Sequence, residues 1–185
     1  GMLHDEFGNK MKQGKVVMKQ QWERLEAWLK ANNPALLADL NPPASDAKIQ
    51  TLEQTLGVTL PVDFVECLRV HDGQRGGVEW LFPSAEFLSS ERILDEWAIW
   101  KDLLDGGDFD GAKARPGAGI QPAWWSPKWI PFTYNGAGDH LCLDLDPACG
   151  GRVGQIITLW HDDGARNKKA DSFFQWFTEF VDLTV

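Results

Sequence analysis

The sequence has little cysteine and no apolar run long enough to cross a bilayer. Its three cysteines, Cys67, Cys142 and Cys149, are an odd and sparse set among 185 residues, which excludes a disulfide framework and favours reduced thiols. A membrane helix needs about 20 consecutive apolar residues, and residues 1–19 lack the apolar centre of a secretory leader. We therefore expect a cytoplasmic protein that does not associate with membranes.

Positive charge is also scarce. The chain has 18 Lys and Arg against 27 Asp and Glu, which gives a net charge of −9. Residues 91–111 are the most acidic stretch, with seven acidic and two basic side chains. Because such a surface repels phosphate backbones, we expect no direct binding of nucleic acid. A basic protein partner is the complementary expectation, and plain solubility is the alternative reason for the charge. The small basic group at Arg166, Lys168 and Lys169 predicts a solvated loop.

Motifs for catalysis and for cofactor binding are missing as well. No Ser or Cys sits in a motif with a known activation geometry, and the glycine pairs at 117–119 and 136–138 lack the spacing of a phosphate-binding loop. The spacing of Asp139, Asp144 and Asp146 fits no calcium loop. We expect no catalytic residues, no metal and no cofactor. An enzyme or small-ligand binder that uses these aspartates stays as the less favoured alternative.

What the sequence does contain is a series of helical patterns followed by strand patterns. Residues 1–14 show no hydrophobic periodicity, so we predict a flexible N-terminus there and a single domain over 15–185. Apolar residues then recur every three or four positions, as in amphipathic helices, and a last helix is predicted from Ser172. This order predicts an α+β fold with a mostly antiparallel sheet backed by helices. The strand candidates are Val78–Phe82, Trp129–Thr133, Leu141–Asp146 and Gly154–Trp160.

The segment between Trp129 and Asp146 predicts two paired strands around a glycine loop. Its first strand contains Pro131, which favours the edge of a sheet. Residues 135–139 supply the glycines and the side-chain caps of a tight loop. Leu141, Leu143 and Leu145 then alternate with polar residues, the period of a half-buried strand. We expect these leucines to face the helices and the alternate residues to face solvent.

Several short segments occur in an order that a known family shares. Together with the glycine loop they are Trp22–Trp28, Leu40–Ile49, Leu52–Gly57, Leu60–Phe64, His71–Gln74, Gly150–Gly154 and Ser172–Phe177. In these segments the chain resembles the SUKH superfamily, which includes the fungal cell-wall-assembly regulators of the Smi/Knr type and many bacterial relatives. The resemblance covers roughly residues 15–182. It implies an α+β binding module without catalytic residues; bacterial members commonly act as immunity proteins against polymorphic toxins, often nucleases.

Ten tryptophans are the other unusual feature of the composition. Most are expected in or beside the core, but the adjacent Trp124 and Trp125 cannot both face the same core from a strand. An exposed tryptophan beside carboxylates is typical of a protein-binding hot spot. The candidate partner-binding residues are Asp102, Asp105, Trp124, Trp125, Asp139, Asp144 and Asp146.

The function predicted first is that of an immunity-type protein, which neutralises a basic toxin domain, such as a nuclease, through its acidic surface. The alternative is a regulatory adaptor in cell-wall, envelope or growth control. A toxin gene directly upstream would favour the first prediction. Neither prediction identifies the partner or the surface that binds it.

Overall fold

The computed structural model describes residues 17–185 in full and, of residues 2–16, only that they belong to the first helix. The flexible N-terminus predicted over 1–14 therefore lies outside the fully described residues and stays a prediction. The helices are α1 (Met2–Asn32), α2 (Pro34–Asp39), α3 (Asp46–Leu56), α4 (Val62–Leu68), α5 (Ser90–Asp105) and α6 (Phe173–Thr184). The strands are β1 (Glu86–Phe87), β2 (Arg115–Pro116), β3 (Trp129–Pro131), β4 (Thr133–Tyr134), β5 (His140–Asp144), β6 (Gln155–Leu159), β7 (Ala165–Arg166) and β8 (Lys168–Ala170).

Side-chain caps set the starts of the helices. The hydroxyls of Ser45, Ser89 and Ser172 each accept one hydrogen bond, from the backbone amide of the third residue of α3, α5 and α6 respectively, at 3.1–3.2 Å. Each cap satisfies an amide that has no partner inside its helix. Gly57 ends α3 in a left-handed conformation, with φ +70°, which glycine adopts without a steric penalty. The local sequence thus fixes where these helices begin and end.

The main sheet has the antiparallel order β3–β5–β6–β8. β3 and β5 are the predicted pair, with Ile130 opposite Leu143, and the glycine loop lies between them along the chain. Pro131 lies in β3, at the edge of the sheet, where its missing N–H costs no ladder bond. Two short pairs complete the fold: β1 with β4, antiparallel, and β2 with β7, parallel. The predicted α+β fold with a mostly antiparallel sheet is confirmed.

One face of the sheet packs against α1, α4 and α6. Ile130, Leu143 and Ile156 point into this first core. The helices meet them with large buried side chains, which are Trp22, Leu25, Phe64, Phe173 and Phe177. Leu141 and Leu145 are partly buried against the same core, so the predicted direction of the three leucines is confirmed. Each fully buried side chain of this size stabilises the fold by about 1.5–3 kcal/mol.

The opposite face of the sheet is covered as well, by α5 and the loop that follows it. Cys142, Ile157 and Leu159 lie there in a second core with Trp100 and Trp125. The interpretation of β5 as a half-buried strand was therefore wrong: Cys142 and Asp144 are both completely buried. Strand alternation shows that two faces differ, and it does not show whether a later segment of the chain covers the polar one.

The predicted strand Val78–Phe82 does not form. The side-chain oxygen of Gln74 accepts hydrogen bonds from the amides of Leu81 and Phe87, at 2.9 and 3.0 Å. Residues 78–85 form bends and a turn, with a single isolated bridge from Phe82 to Ala85 just before β1. A side chain thus takes the place of a strand partner here. Over the part of the chain that the structure describes, no helix combines the length and the apolar character needed to cross a membrane.

Candidate functional site

The glycine loop is held by its own side chains. The Oδ1 atom of Asn135 accepts hydrogen bonds from the amides of Ala137 (2.8 Å) and Asp139 (3.0 Å), and its amide nitrogen donates to Oδ2 of Asp139 (2.9 Å). Gly136 has φ +81°, and a Cβ there would lie 2.8 Å from the ring of Trp80. Only glycine therefore fits under this tryptophan, and the loop is a rigid structural element.

Asp139 connects the loop to the end of β6. Its Oδ1 atom lies 3.0 Å from the amide nitrogen and 2.9 Å from the ring Nδ1 of His161. Partial burial opposes ionisation of Asp139, but the hydrogen bonds from His161 and Asn135 outweigh it and lower the pKa of the carboxyl. The hydrogen bond to Asp139 in turn raises the pKa of His161. The two side chains form an ion pair at pH values between the lowered pKa of Asp139 and the raised pKa of His161, and this pair joins one loop to another.

Asp162 brings a third potential ligand atom to this pair. One such atom from each of Asp139, His161 and Asp162 lies within 4.8 Å of the others. Both carboxylate oxygens of Asp139, however, already accept hydrogen bonds from the protein. The arrangement is that of a hydrogen-bonded loop anchor, and the prediction that no metal binds here stays a prediction.

Asp144, a candidate partner-binding residue, is not at the surface, and its role in partner binding stays a prediction. It is completely buried, and its oxygens accept hydrogen bonds from Gln155 (2.8 Å) and from the amide of Asp146 (3.0 Å). Burial raises the pKa of its carboxyl. Gln155 also donates to the carbonyl of Gly119, so Asp144 helps to hold the loop over the second core. Asp146 itself is exposed.

The two adjacent tryptophans have different surroundings. Trp125 is buried between Trp97 and Trp100, with ring centroids 6.2 Å from each; its role in partner binding stays a prediction. Trp124 is half-buried, and its ring faces the guanidinium of Arg166. The Cζ atom of Arg166 lies 5.1 Å from the centroid of that ring. Trp124 alone of the pair keeps an accessible side chain.

Arg166 is a structural residue that the sequence did not reveal. It was expected in a solvated basic loop, but it is completely buried, and its guanidinium donates to the carbonyls of Trp124, Asp163 and Ala165. Burial lowers its pKa to about 10. The adjacent Lys168 and Lys169 are exposed, so no local pattern distinguishes the buried cation from its neighbours.

The acidic helix α5 has a buried and an exposed set of carboxylates. Glu96 is buried, accepts a 2.7 Å hydrogen bond from Arg92, and lies 3.9 Å from Nε2 of His140. Burial lowers the pKa of His140, whose other ring nitrogen lies 2.7 Å from the carbonyl of Thr133. Asp102 and Asp105 are exposed. Asp105 bonds to Lys101 through both oxygens, whereas Asp102 pairs with no side chain in the described part of the chain.

The motif from His71 to Gln74 is also structural. Asp72 is buried and accepts hydrogen bonds from the amide and the hydroxyl of Ser90, at 2.7 and 2.9 Å. A Cβ on Gly73 would lie 2.3 Å from the backbone nitrogen of Ser89. Together with the bonds of Gln74 to Leu81 and Phe87, these contacts place the start of α5. The motif therefore has a structural role in this chain, which is to hold the start of α5 in place.

The candidate residues thus divide by burial. Asp144 and Trp125 belong to the interior, Asp139 and Trp124 are half-buried in loop anchors, and three acidic residues remain exposed. Those three are Asp102, Asp105 and Asp146. The class of protein that this fold and these anchors define is an α+β scaffold whose motif residues maintain loops, with three of the candidate acidic residues on its surface.

A sequence model of the SMI1/KNR4 family (SUKH-1) matches residues 43–179. The chain belongs to this family. The resemblance inferred from the sequence is therefore confirmed.

The chain is similar to several curated fungal regulators. It is 30% identical over 171 residues to the cell wall biosynthesis/cell cycle regulator smi1 of Schizosaccharomyces pombe, covering 84% of this chain and 34% of that protein. It is 28% identical over 177 residues to the glucan synthesis regulatory protein of Neurospora crassa, covering 76% and 33%. It is 24% identical over 196 residues to the cell wall assembly regulator SMI1 of Saccharomyces cerevisiae, covering 86% and 39%. The chain spans between about a third and two fifths of the length of these relatives.

Proposed function

We propose that this chain is a regulatory module that acts by binding another protein in the control of cell-wall synthesis or growth. The observation that carries the proposal is the match to regulators of wall synthesis over more than three quarters of the chain. Their names describe regulators rather than enzymes, and they favour the regulatory adaptor over the immunity protein. The relatives are much longer than this chain, so the activity of the whole relatives is carried over to this chain only as a proposal.

The chemistry of the interior supports binding rather than catalysis. Burial raises the pKa of the Cys67 and Cys142 thiols, which is the opposite of what a nucleophilic cysteine requires. Asp144 and His140 have hydrogen-bond partners inside the fold. These four buried residues therefore maintain the structure, and a partner would meet the exposed surface.

The immunity protein is the competing candidate because of one observation, the net charge of −9. An acidic surface suits a basic toxin domain as well as a basic regulatory partner. The two candidates differ in the identity of the partner, so one experiment separates them.

The experiment is cross-linked affinity purification of the unmodified chain from the cells in which it is naturally made. An unrelated acidic protein of the same size and charge serves as the control bait. We expect a partner that acts in wall synthesis or growth control and is absent from the control. A toxin domain as the specific partner would favour immunity, and the absence of any partner above the control would contradict the proposed function.

A further inference from the structure

The outward side of α5 carries apolar residues that no other part of the described chain covers. Ile99 is 53% exposed and Leu103 is 37% exposed. They are four positions apart on a helix, so their side chains are neighbours on one side. Single exposed apolar residues are common, but Ile99 and Leu103 are adjacent and form one short ridge. We call it the α5 ridge.

Carboxylates border the α5 ridge. Asp95 lies one turn before Ile99 and Asp102 one turn after it, and both are exposed. The cations of the helix are already engaged: Arg92 bonds to Glu96, and Lys101 bonds to Asp105. Arg92 also lies within 3.7 Å of Asp95. Its guanidinium, however, also pairs with two buried carboxylates, those of Glu86 and Glu96. The border of the ridge therefore keeps an excess of negative charge.

We propose that the α5 ridge and its acidic border form the docking surface for a basic amphipathic helix of the partner protein. This inference rests on the proposed function and names the chemistry of the partner. An apolar stripe on the incoming helix would pack on Ile99 and Leu103, and Lys or Arg beside that stripe would meet Asp95 and Asp102. A second copy of this chain would bring two acidic borders together, and nucleic acid would be repelled.

The fold allows this surface to be changed without unfolding. The inner side of α5 is fixed by Ile93 and Trp100, which are buried at 0% and 4% exposure, and by the Ser89 cap. Substitutions on the outer side leave both contacts in place. Surface changes of this kind usually alter the free energy of unfolding by less than about 0.5 kcal/mol. Loss of binding can therefore be separated from loss of structure by thermal unfolding of each variant.

The test uses a synthetic, fluorescein-labelled 20-residue peptide whose Leu and Lys residues form a basic amphipathic helix. A second peptide carries Glu in place of Lys. Fluorescence anisotropy measures the affinity of the unmodified chain, of I99S/L103S and of D95N/D102N. Two matched controls change exposed residues elsewhere: V153S/L183S removes apolar side chains that are 70% and 89% exposed, and E23Q/E179Q removes two charges from α1 and α6.

We expect saturable binding of the basic peptide and none of the acidic one. I99S/L103S should weaken binding about tenfold because it removes the apolar contact. D95N/D102N should weaken it about fivefold and reduce its dependence on salt. Both controls should bind within about twofold of the unmodified chain, since a general charge attraction would treat E23Q/E179Q and D95N/D102N alike.

The proposal is overturned if the basic peptide does not bind, if either α5 variant binds as well as the unmodified chain, or if a control weakens binding as much as its α5 counterpart. None of these results affects the partner purification, which uses the unmodified chain and any surface it offers. Failure of the docking surface and failure of the regulatory function are therefore distinguishable.

Discussion

Buried polar side chains hold the loops of this protein to its two cores. Asp72, Gln74 and Arg166 each bond to backbone groups of a segment distant in sequence. Such bonds add little to stability when they form in exchange for water, but losing one leaves a buried group without a partner. Replacing one of these buried polar side chains should therefore lower the free energy of unfolding more than a similar replacement at the surface.

Substituting Arg166 tests this argument. Arg166→Met keeps most of the apolar stem and leaves the carbonyls of Trp124, Asp163 and Ala165 without their donor. We expect the free energy of unfolding to fall by at least about 2 kcal/mol, as measured by urea denaturation. Lys169→Met removes an exposed positive charge three residues away and should change it by less than about 0.5 kcal/mol. Equal effects of the two substitutions would contradict a structural role for Arg166.

His140 makes stability depend on pH. Burial lowers its pKa below the ordinary value of 6.5, so the unfolded chain takes up a proton more readily than the folded one. Stability should therefore be complete above about pH 6.5 and should fall as the pH drops toward the lowered pKa. His140→Asn keeps a donor near the Thr133 carbonyl and should flatten this dependence, measured by urea unfolding at pH 7.5, 6.5 and 5.5.

His161 provides the control for that prediction. Its hydrogen bond to Asp139 raises its pKa, so its contribution to stability is present below about pH 6.5 and is lost as the pH rises through the raised value. His161→Asn should therefore change the pH dependence in the opposite direction from His140→Asn. If both variants shifted it in the same direction, the assignment of either histidine would be wrong.

At the scale of elements, the start of α5 depends on the loop that follows α4. Asp72 caps the helix at Ser90, and Gly73 lies directly against the backbone of Ser89. The orientation of α5 decides which of its residues join the second core and which form the α5 ridge. A structural motif far from the proposed docking surface thus sets the geometry of that surface.

Gly73→Ala should disrupt this junction. Gly73 has φ +66°, and an added Cβ would lie 2.3–2.5 Å from backbone atoms of Leu88 and Ser89. Gly57→Ala is the matched control because Gly57 has φ +70° with nothing within 4 Å of an added Cβ. The control should lose about 1–2 kcal/mol from the left-handed conformation alone, and Gly73→Ala should lose about 1–3 kcal/mol more from overpacking. Equal losses in denaturant melts would show that α5 can shift freely.

At the scale of the whole molecule, charge should govern how the protein meets its partner. Net charge influences association and solubility more than it influences the fold. The exposed carboxylates at the end of α5 and just after it are the main local source of that charge, and they are Asp102, Asp105, Asp108 and Asp110. Asp102 and Asp105 lie in α5 itself, and Asp108 and Asp110 follow it.

Neutralising these four aspartates to asparagine should slow association with the purified partner and flatten its dependence on salt. Rim charges act mainly on the association rate, and salt screens them over about 8 Å at physiological ionic strength. Stopped-flow kinetics at two salt concentrations measures both effects, with E23Q/E179Q as the control. An association rate that changes with neither the substitutions nor salt would mean that the acidity serves solubility alone.

The sequence by itself determined the fold class, the start of the last helix at Ser172, the β3–β5 pair and the family. Each of these depends on local chemistry: a hydroxyl three residues before an amide, a glycine at positive φ, or a proline at a sheet edge. The direction of the three leucines followed from the same local period.

Only the tertiary structure decided which of the residues expected at the surface are buried. Asp144, Trp125 and Arg166 carry the same local patterns as exposed residues, and they became interior because α5 and the loop after it cover the second face of the sheet. The segments that pack together there are far apart in the chain, so no short stretch of sequence shows that they meet. Burial depends on what packs over a residue, and for this reason the division between structural anchors and the outward α5 ridge appeared only in the folded molecule.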